Sequence, residues 1–227
     1  MNHLVFLGWV KLLSMEAELV KKLANYLFDR IRLENIISLL FYKHVYRYLF
    51  YSIGKGSFVS PFIYPLGLDC VTLGSYSSIN RNTRLMAIKS WEGRLFQPNI
   101  YIGNNVSVGL GCTLSCVNSI YISDDATLGD NVYVADSHHG FSDVKISIRD
   151  QSLLPGEVYI GKGAWLGYGV FVAGNIVIGE HAVVGANSVV TKSVDPYTVV
   201  AGAPAKLISR YNPQTNQWEK VETEALS

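Results

Sequence analysis

His138 and His139 stand side by side in the stretch Ala135, Asp136, Ser137, His138, His139, Gly140, Phe141, in a chain of 227 residues that holds five histidines. An imidazole titrates near neutral pH, so either ring is suited to take a proton from an attacking hydroxyl. Asp136 offers carboxylate acceptors that can orient a histidine or hold a ligand hydroxyl, and can equally cap the backbone of its own loop. A histidine dipeptide does not specify chemistry by itself, because geometry does; two solvated loop histidines would read the same way. Cys70, Cys112 and Cys116 are odd in number and lack paired C-x-x-C spacing. That argues against a disulfide framework and a zinc knuckle, and for a reducing, cytoplasmic home.

What positions the histidines is a repeat. An aliphatic residue returns every six positions as Ile160, Leu166, Val172, Ile178, Val184 and Val190, followed by small residues at Gly161, Gly167, Ala173, Gly179 and Gly185. The same register appears at Leu73 and Ile79, at Ile102, Val108 and Leu114, and at Ile122, Leu128 and Val134. Such a period is the mark of a solenoid. Each unit makes a short strand and a corner with its aliphatic side chain inward. Three units close a triangular coil of about eighteen residues, and coils stack at the ~4.8 Å strand spacing. A β-sandwich would instead alternate with period two between turns of variable length.

The register breaks twice. Between Val134 and Val158 it stops and resumes in phase, as an extruded loop over residues 135–157 would make it, and insertions on one face of a solenoid are often functional. A second break, over residues 86–99, contains Trp91, Phe96 and Pro98; it either shapes a pocket for an acceptor or is a plain surface excursion.

Ahead of the array, residues 1–53 carry apolar residues at three- and four-residue spacing (Leu19, Leu23, Tyr26, Leu27; Ile36, Ile37, Leu40, Phe41), which predicts an amphipathic helical segment. Lys21, Lys22, Arg30, Arg32, Lys43 and Arg47 give it a basic side, suited to peripheral contact with an anionic membrane surface; the plainer reading is a cap packed on the solenoid. Neither a secretory signal nor a spanning helix is expected, since the apolar runs are short or interrupted by charge. Residues 54–208 form the repeat domain and residues 209–227 a tail. Lys+Arg 19 against Asp+Glu 18 predicts no nucleic-acid partner.

Four motifs carry a family resemblance: D-x-x-H-G at residues 136–140, V-x-I-G-x-x-A-W-L-G at 158–167, V-V-G-A-N-S-V-V-T-K at 183–192, and A-G-A-P-A-K at 201–206. With them, roughly residues 53–218 resemble the left-handed β-helix sugar O-acetyltransferases of the maltose and galactoside acetyltransferase type. The branch that decorates capsular and O-antigen polysaccharides is the most similar. The resemblance implies a mainly β fold, a left-handed parallel β-helix, and acetyl transfer from acetyl-CoA to a sugar hydroxyl with no metal and no covalent enzyme intermediate. It implies His139 as the general base, ahead of His138, with Asp136 beside it. It further implies that Gly167, Tyr168, Gly185 and Ala186 line the pantetheine arm of the coenzyme, with Thr191, Lys192, Lys206 and Arg210 toward its nucleotide end. Trp165 belongs at the groove edge or against a neighbouring subunit. Members of the family are homotrimers, and flat Gly/Ala-lined faces would suit packing about a three-fold axis.

Rival readings remain at this level. A zinc carbonic anhydrase of the same fold would draw ligands from His138, His139 and His181, although adjacent histidines rarely reach one metal. A non-catalytic scaffold would need no histidine at all. Among acyltransferases, the acceptor could instead be a small free sugar, a nucleotide-sugar amine or serine. The basic N-terminal segment favours a carbohydrate acceptor that is lipid-linked and membrane-proximal.

Overall fold

The computed structural model describes residues 45–221, with residues 22, 25, 36 and 40 ahead of them. Very short strands build three parallel sheets, visited in the same order on every circuit of the chain. The first face runs through Val71–Leu73, Asn99–Ile102, Ser119–Ile122, Glu157–Ile160 and Ile176–Ile178. The second includes Ser107–Val108, Thr127–Leu128, Trp165–Leu166 and Val183–Val184. The third includes Arg84–Ala87, Thr113–Cys116, Tyr133–Ala135 and Phe171–Ala173.

The six-residue period works because equivalent aliphatics pair in register from coil to coil. Ile102, Ile122, Ile160 and Ile178 form one ladder, Val108, Leu128, Leu166 and Val184 a second, and Leu114, Val134, Val172 and Val190 a third. All of them are buried. Stacking like on like keeps the interior dense with few side-chain shapes.

The corners need a left-handed backbone, and the sequence supplies residues that tolerate it. Between the second and third faces, successive coils place Asn82, Gly111, Asn131, Gly169 and Asn187 at φ of 62, 66, 59, 66 and 55°. Only glycine and asparagine fill this column, as the sterics require. His181 occupies the equivalent strained place at the corner between the first and second faces, at φ 50°, and stacks on Tyr197.

Both ends of the solenoid are covered. At one, the short helix Arg47–Leu49 brings Tyr46 and Phe50 into the core edge to face, and the Tyr46 hydroxyl donates to the Ser60 carbonyl at 3.1 Å. At the other, Lys206–Asn212 and Gln217–Lys220 form an antiparallel hairpin that continues the second face from Thr198–Ala201. Caps of this kind protect the exposed last coil. The amphipathic segment expected over residues 1–53 lies largely outside the described residues. Among those described, no helix is long and apolar enough to cross a membrane.

The outward faces correct one expectation. They carry aromatic side chains, whereas glycines such as Gly161 and Gly167 sit at corners where coils approach closely. Tyr101, Tyr121 and Tyr159 stack along the first face at 4.5 and 5.3 Å, and Tyr133 stacks on Phe171 at 4.9 Å on the third. The reason is the parallel register: like residues on successive coils meet outside the solenoid as they do inside it.

Cys112 and Cys116 are core residues. Burial pushes the Cys112 thiol up to about 11, and burial together with the Asp136 carboxylate pushes Cys116 higher still; burial also raises the Tyr46 hydroxyl to about 12. The folded chain holds these protons more tightly than the unfolded chain does. The stability they contribute is therefore complete below the ordinary thiol range of about 8.5 and is lost as pH rises toward 11. Urea midpoints should stay level near neutrality and drop between pH 9 and pH 11, values bracketed by these two limits. Iodoacetamide should alkylate half-buried Cys70 in the native protein while sparing Cys112 and Cys116.

Candidate functional site

The two breaks in the register leave the solenoid at the same corner, between the third and first faces. The earlier one folds into a small hairpin, Ser90–Trp91 against Arg94–Leu95. The later one begins as a ribbon in which Ser137–His139 pairs antiparallel with Leu153–Pro155, so that His138 faces Leu154 and His139 faces Leu153 across the ladder. Between the two insertions the intervening coil turns this corner at Val117 and Asn118, without an excursion. That lets the neighbouring insertions meet over it. The Trp91 indole lies 5.4 Å from the His139 imidazole, centroid to centroid, with the planes at 72°.

Successive residues on a strand point to opposite sides, so only one of the paired histidines can meet the hairpin. His139 does, and its own side chain is exposed. His138 has Phe141 as its aromatic neighbour at 6.3 Å.

Asp136 sits elsewhere. Its side chain is fully buried and its hydrogen bonds go to the turn on the preceding coil: the amides of Val117 at 2.9 Å and Asn118 at 2.7 Å, and the Cys116 thiol at 3.2 Å. The Asp136 carbonyl accepts from the Gly156 amide at 2.6 Å, closing the neck of the loop. Among the described residues the carboxylate has no bond to either histidine. The carboxylate caps backbone of the neighbouring coil, not of its own loop.

The residues matched to the coenzyme groove occupy other places. Gly167, Tyr168, Gly185 and Ala186 lie at the corner between the second and third faces. The Gly167 and Gly185 amides are used between coils, donating to the carbonyls of Val184 and Val200 at 2.8 Å each. A Cβ on Gly167 would come within 2.8 Å of the Ala186 nitrogen, so this glycine serves close stacking. One coil earlier, the Leu110 amide donates to Asp130 Oδ1 at 2.8 Å. Tyr168 and Ala186, the next residues of that column, put no carboxylate there, and the Asp130 and Tyr168 amides have no partner among the described residues. The Tyr168 hydroxyl accepts from Asn131 Nδ2 at 3.0 Å.

Thr191, Lys192 and Lys206 are exposed near the last coils, drawn to one end of the stack by the bond from the Ala205 amide to the Val189 carbonyl at 2.8 Å. Arg210 reaches Asp195 at 3.1 Å, with both side chains more than half exposed. A surface pair of this kind is worth about 0–1 kcal/mol and yields readily to a stronger anion. Trp165 is exposed on the second face, in a groove of about 470 Å³ shared with Gly163, His181, Val183, Tyr197, Tyr211 and Trp218. The repeat pattern does not reveal this groove, because the hairpin Lys206–Asn212 with Gln217–Lys220 that walls it falls largely in the segment read from sequence as a tail.

Among the described residues, no group of three or more His, Cys, Asp or Glu side chains is placed to hold a metal ion. His181 lies at a corner of the helix, apart from the ribbon that carries His138 and His139.

Comparison with known proteins adds a context for this geometry. Residues 157–192 match the family model described as bacterial transferase hexapeptide (six repeats). The chain is 37% identical over 129 residues to the putative lipopolysaccharide biosynthesis O-acetyl transferase WbbJ of Escherichia coli K12, covering 54% of this chain and 66% of that protein. A maltose O-acetyltransferase from Clostridium difficile 630 superposes with a TM-score of 0.52 at 26% identity, over 74% of this chain and 73% of its own. AntD, an N-acyltransferase from Bacillus cereus in complex with dTDP and 3-hydroxybutyryl-CoA, superposes with a TM-score of 0.64 at 21% identity, over 76% and 89% of the two chains. That last likeness concerns the fold alone. The chain spans two thirds or less of the length of the curated relatives it matches.

Proposed function

The chain belongs to the hexapeptide-repeat transferases, and from that premise we propose that it carries acetyl from acetyl-CoA to a sugar hydroxyl of a surface polysaccharide or its lipid-linked precursor. The observation that carries this reading is the ribbon that presents an exposed His139 at the one corner where both insertions meet. The imidazole takes the proton of the acceptor hydroxyl as the oxygen attacks the thioester carbonyl. The carbon–sulfur bond then breaks, the thiol of coenzyme A leaves with a proton, and the sugar carries the new ester. A polysaccharide acceptor is supported by the 37% identity to a protein named for lipopolysaccharide biosynthesis.

The donor side fits the residues present. The uncapped amides of Asp130 and Tyr168 suit the carbonyls of a pantetheine arm, and Thr191, Lys192, Lys206 and Arg210 suit the phosphates at its far end. His139 and this corner stand at different edges of one chain's triangular solenoid. A homotrimer, with left-handed coils as in the kindred acetyltransferases, would bring the histidine of one copy to the groove of the next. Sedimentation should therefore give three times the mass of the chain. The place of action is the cytoplasmic side of a membrane, with the basic segment before residue 54 as a peripheral contact.

Mass spectrometry of the host's surface glycan tests the reading. Loss of the gene should remove one O-acetyl per repeating unit, and the wild-type gene should restore it where the His139→Ala form does not. An unchanged glycan, or an acetyl lost from an amine instead, would sink it.

A further inference from the structure

Trp91 and His139 come from separate insertions, and the fold brings them into edge-to-face contact at 5.4 Å. Trp91 sits at the end of its strand in a hairpin outside the solenoid's core, so the ring is not needed to fill the interior. Its indole Nε1 is buried and has no hydrogen-bond partner among the described residues. A leucine in that place would bury apolar surface without stranding a donor. What the indole does provide is a broad, rigid ring against the imidazole, and aromatic pairs of this geometry are favourable beyond the area they bury.

The ribbon needs such a support. His139 is otherwise exposed, and among the described residues no side chain or backbone group makes a hydrogen bond to its ring. A base on a two-stranded ribbon with a free imidazole would sample several rotamers, and proton transfer needs one. We propose that Trp91 is a positioning residue that holds the His139 ring in its working rotamer, so that the hairpin at residues 90–95 acts on catalysis through the histidine. This rests on His139 being the base.

The test uses full-length protein, acetyl-CoA and a panel of methyl hexosides, following release of the coenzyme A thiol. Spectra of protein with ¹³C-labelled histidine are recorded alongside, and the His139 signal is identified as the one missing in His139→Gln. Trp91→Ala should lower kcat on the order of 10-fold with the KM for acetyl-CoA unchanged. It should move the His139 signal and leave the other histidine signals in place. Trp91→Phe, which keeps a flat ring, should recover most of the rate. A Trp91→Ala enzyme with unaltered kcat, a loss that falls wholly on the sugar KM, or a stationary His139 signal would overturn the proposal. Failure of the base assignment would show separately, as full transfer by His139→Gln with Trp91 intact.

Discussion

His139→Ala should lower acetyl transfer by roughly 10²–10⁴-fold while leaving the KM for acetyl-CoA and the folded spectrum near wild type. The expected loss is large because neither Asp136 nor His138 is placed to take over. Asp136, the nearest carboxylate in sequence, is buried and committed to the amides of Val117 and Asn118. His138 leaves the ribbon on the opposite side, toward Phe141. His138→Ala should accordingly keep most of the activity, and the contrast between the two variants is the measurement that matters. If they lose rate equally, the alternation of the ribbon is not selecting the base, and the assignment to His139 is wrong. The fold should tolerate either change, since both side chains are exposed.

The second large effect is on stability. Asp136→Ala removes the acceptor for two amides and a thiol at once, at a site closed to solvent. Each stranded buried donor costs about 1–3 kcal/mol, so a loss of roughly 3–5 kcal/mol should appear in urea denaturation. Asp136→Asn keeps one oxygen acceptor and should fall between. Activity distinguishes this role from that of an orienting partner for the base. If the carboxylate anchors the loop, rate and stability should decline together across Asp, Asn and Ala. A full rate loss in Asp136→Asn at unchanged stability would instead mean that the carboxylate acts on the histidine directly.

The fold was legible because a solenoid repeats its constraints. Every coil must place an aliphatic residue at the same inward position and a residue tolerant of left-handed φ at the same corner, so one coil's rule is written several times along the chain. The ladders from Ile102 to Ile178 and the column from Asn82 to Asn187 are that rule in space. The caps were less visible, since each stands outside the repeat: among the described residues, no other hairpin extends a face of the solenoid as Lys206–Asn212 with Gln217–Lys220 does.

At the candidate site, sequence alone marked the 136–140 element and the interruption holding Trp91 as departures from the array. It could not relate them, because they are separated by a full coil and the repeat does not say whether either insertion folds back over that coil. Nor could it choose between two uses of Asp136, which depend on where an oxygen points. Those matters were decided by the tertiary structure. Coil stacking turns a long separation along the chain into a short one along the solenoid axis, setting Trp91 against His139 and turning Asp136 inward onto the corner between them.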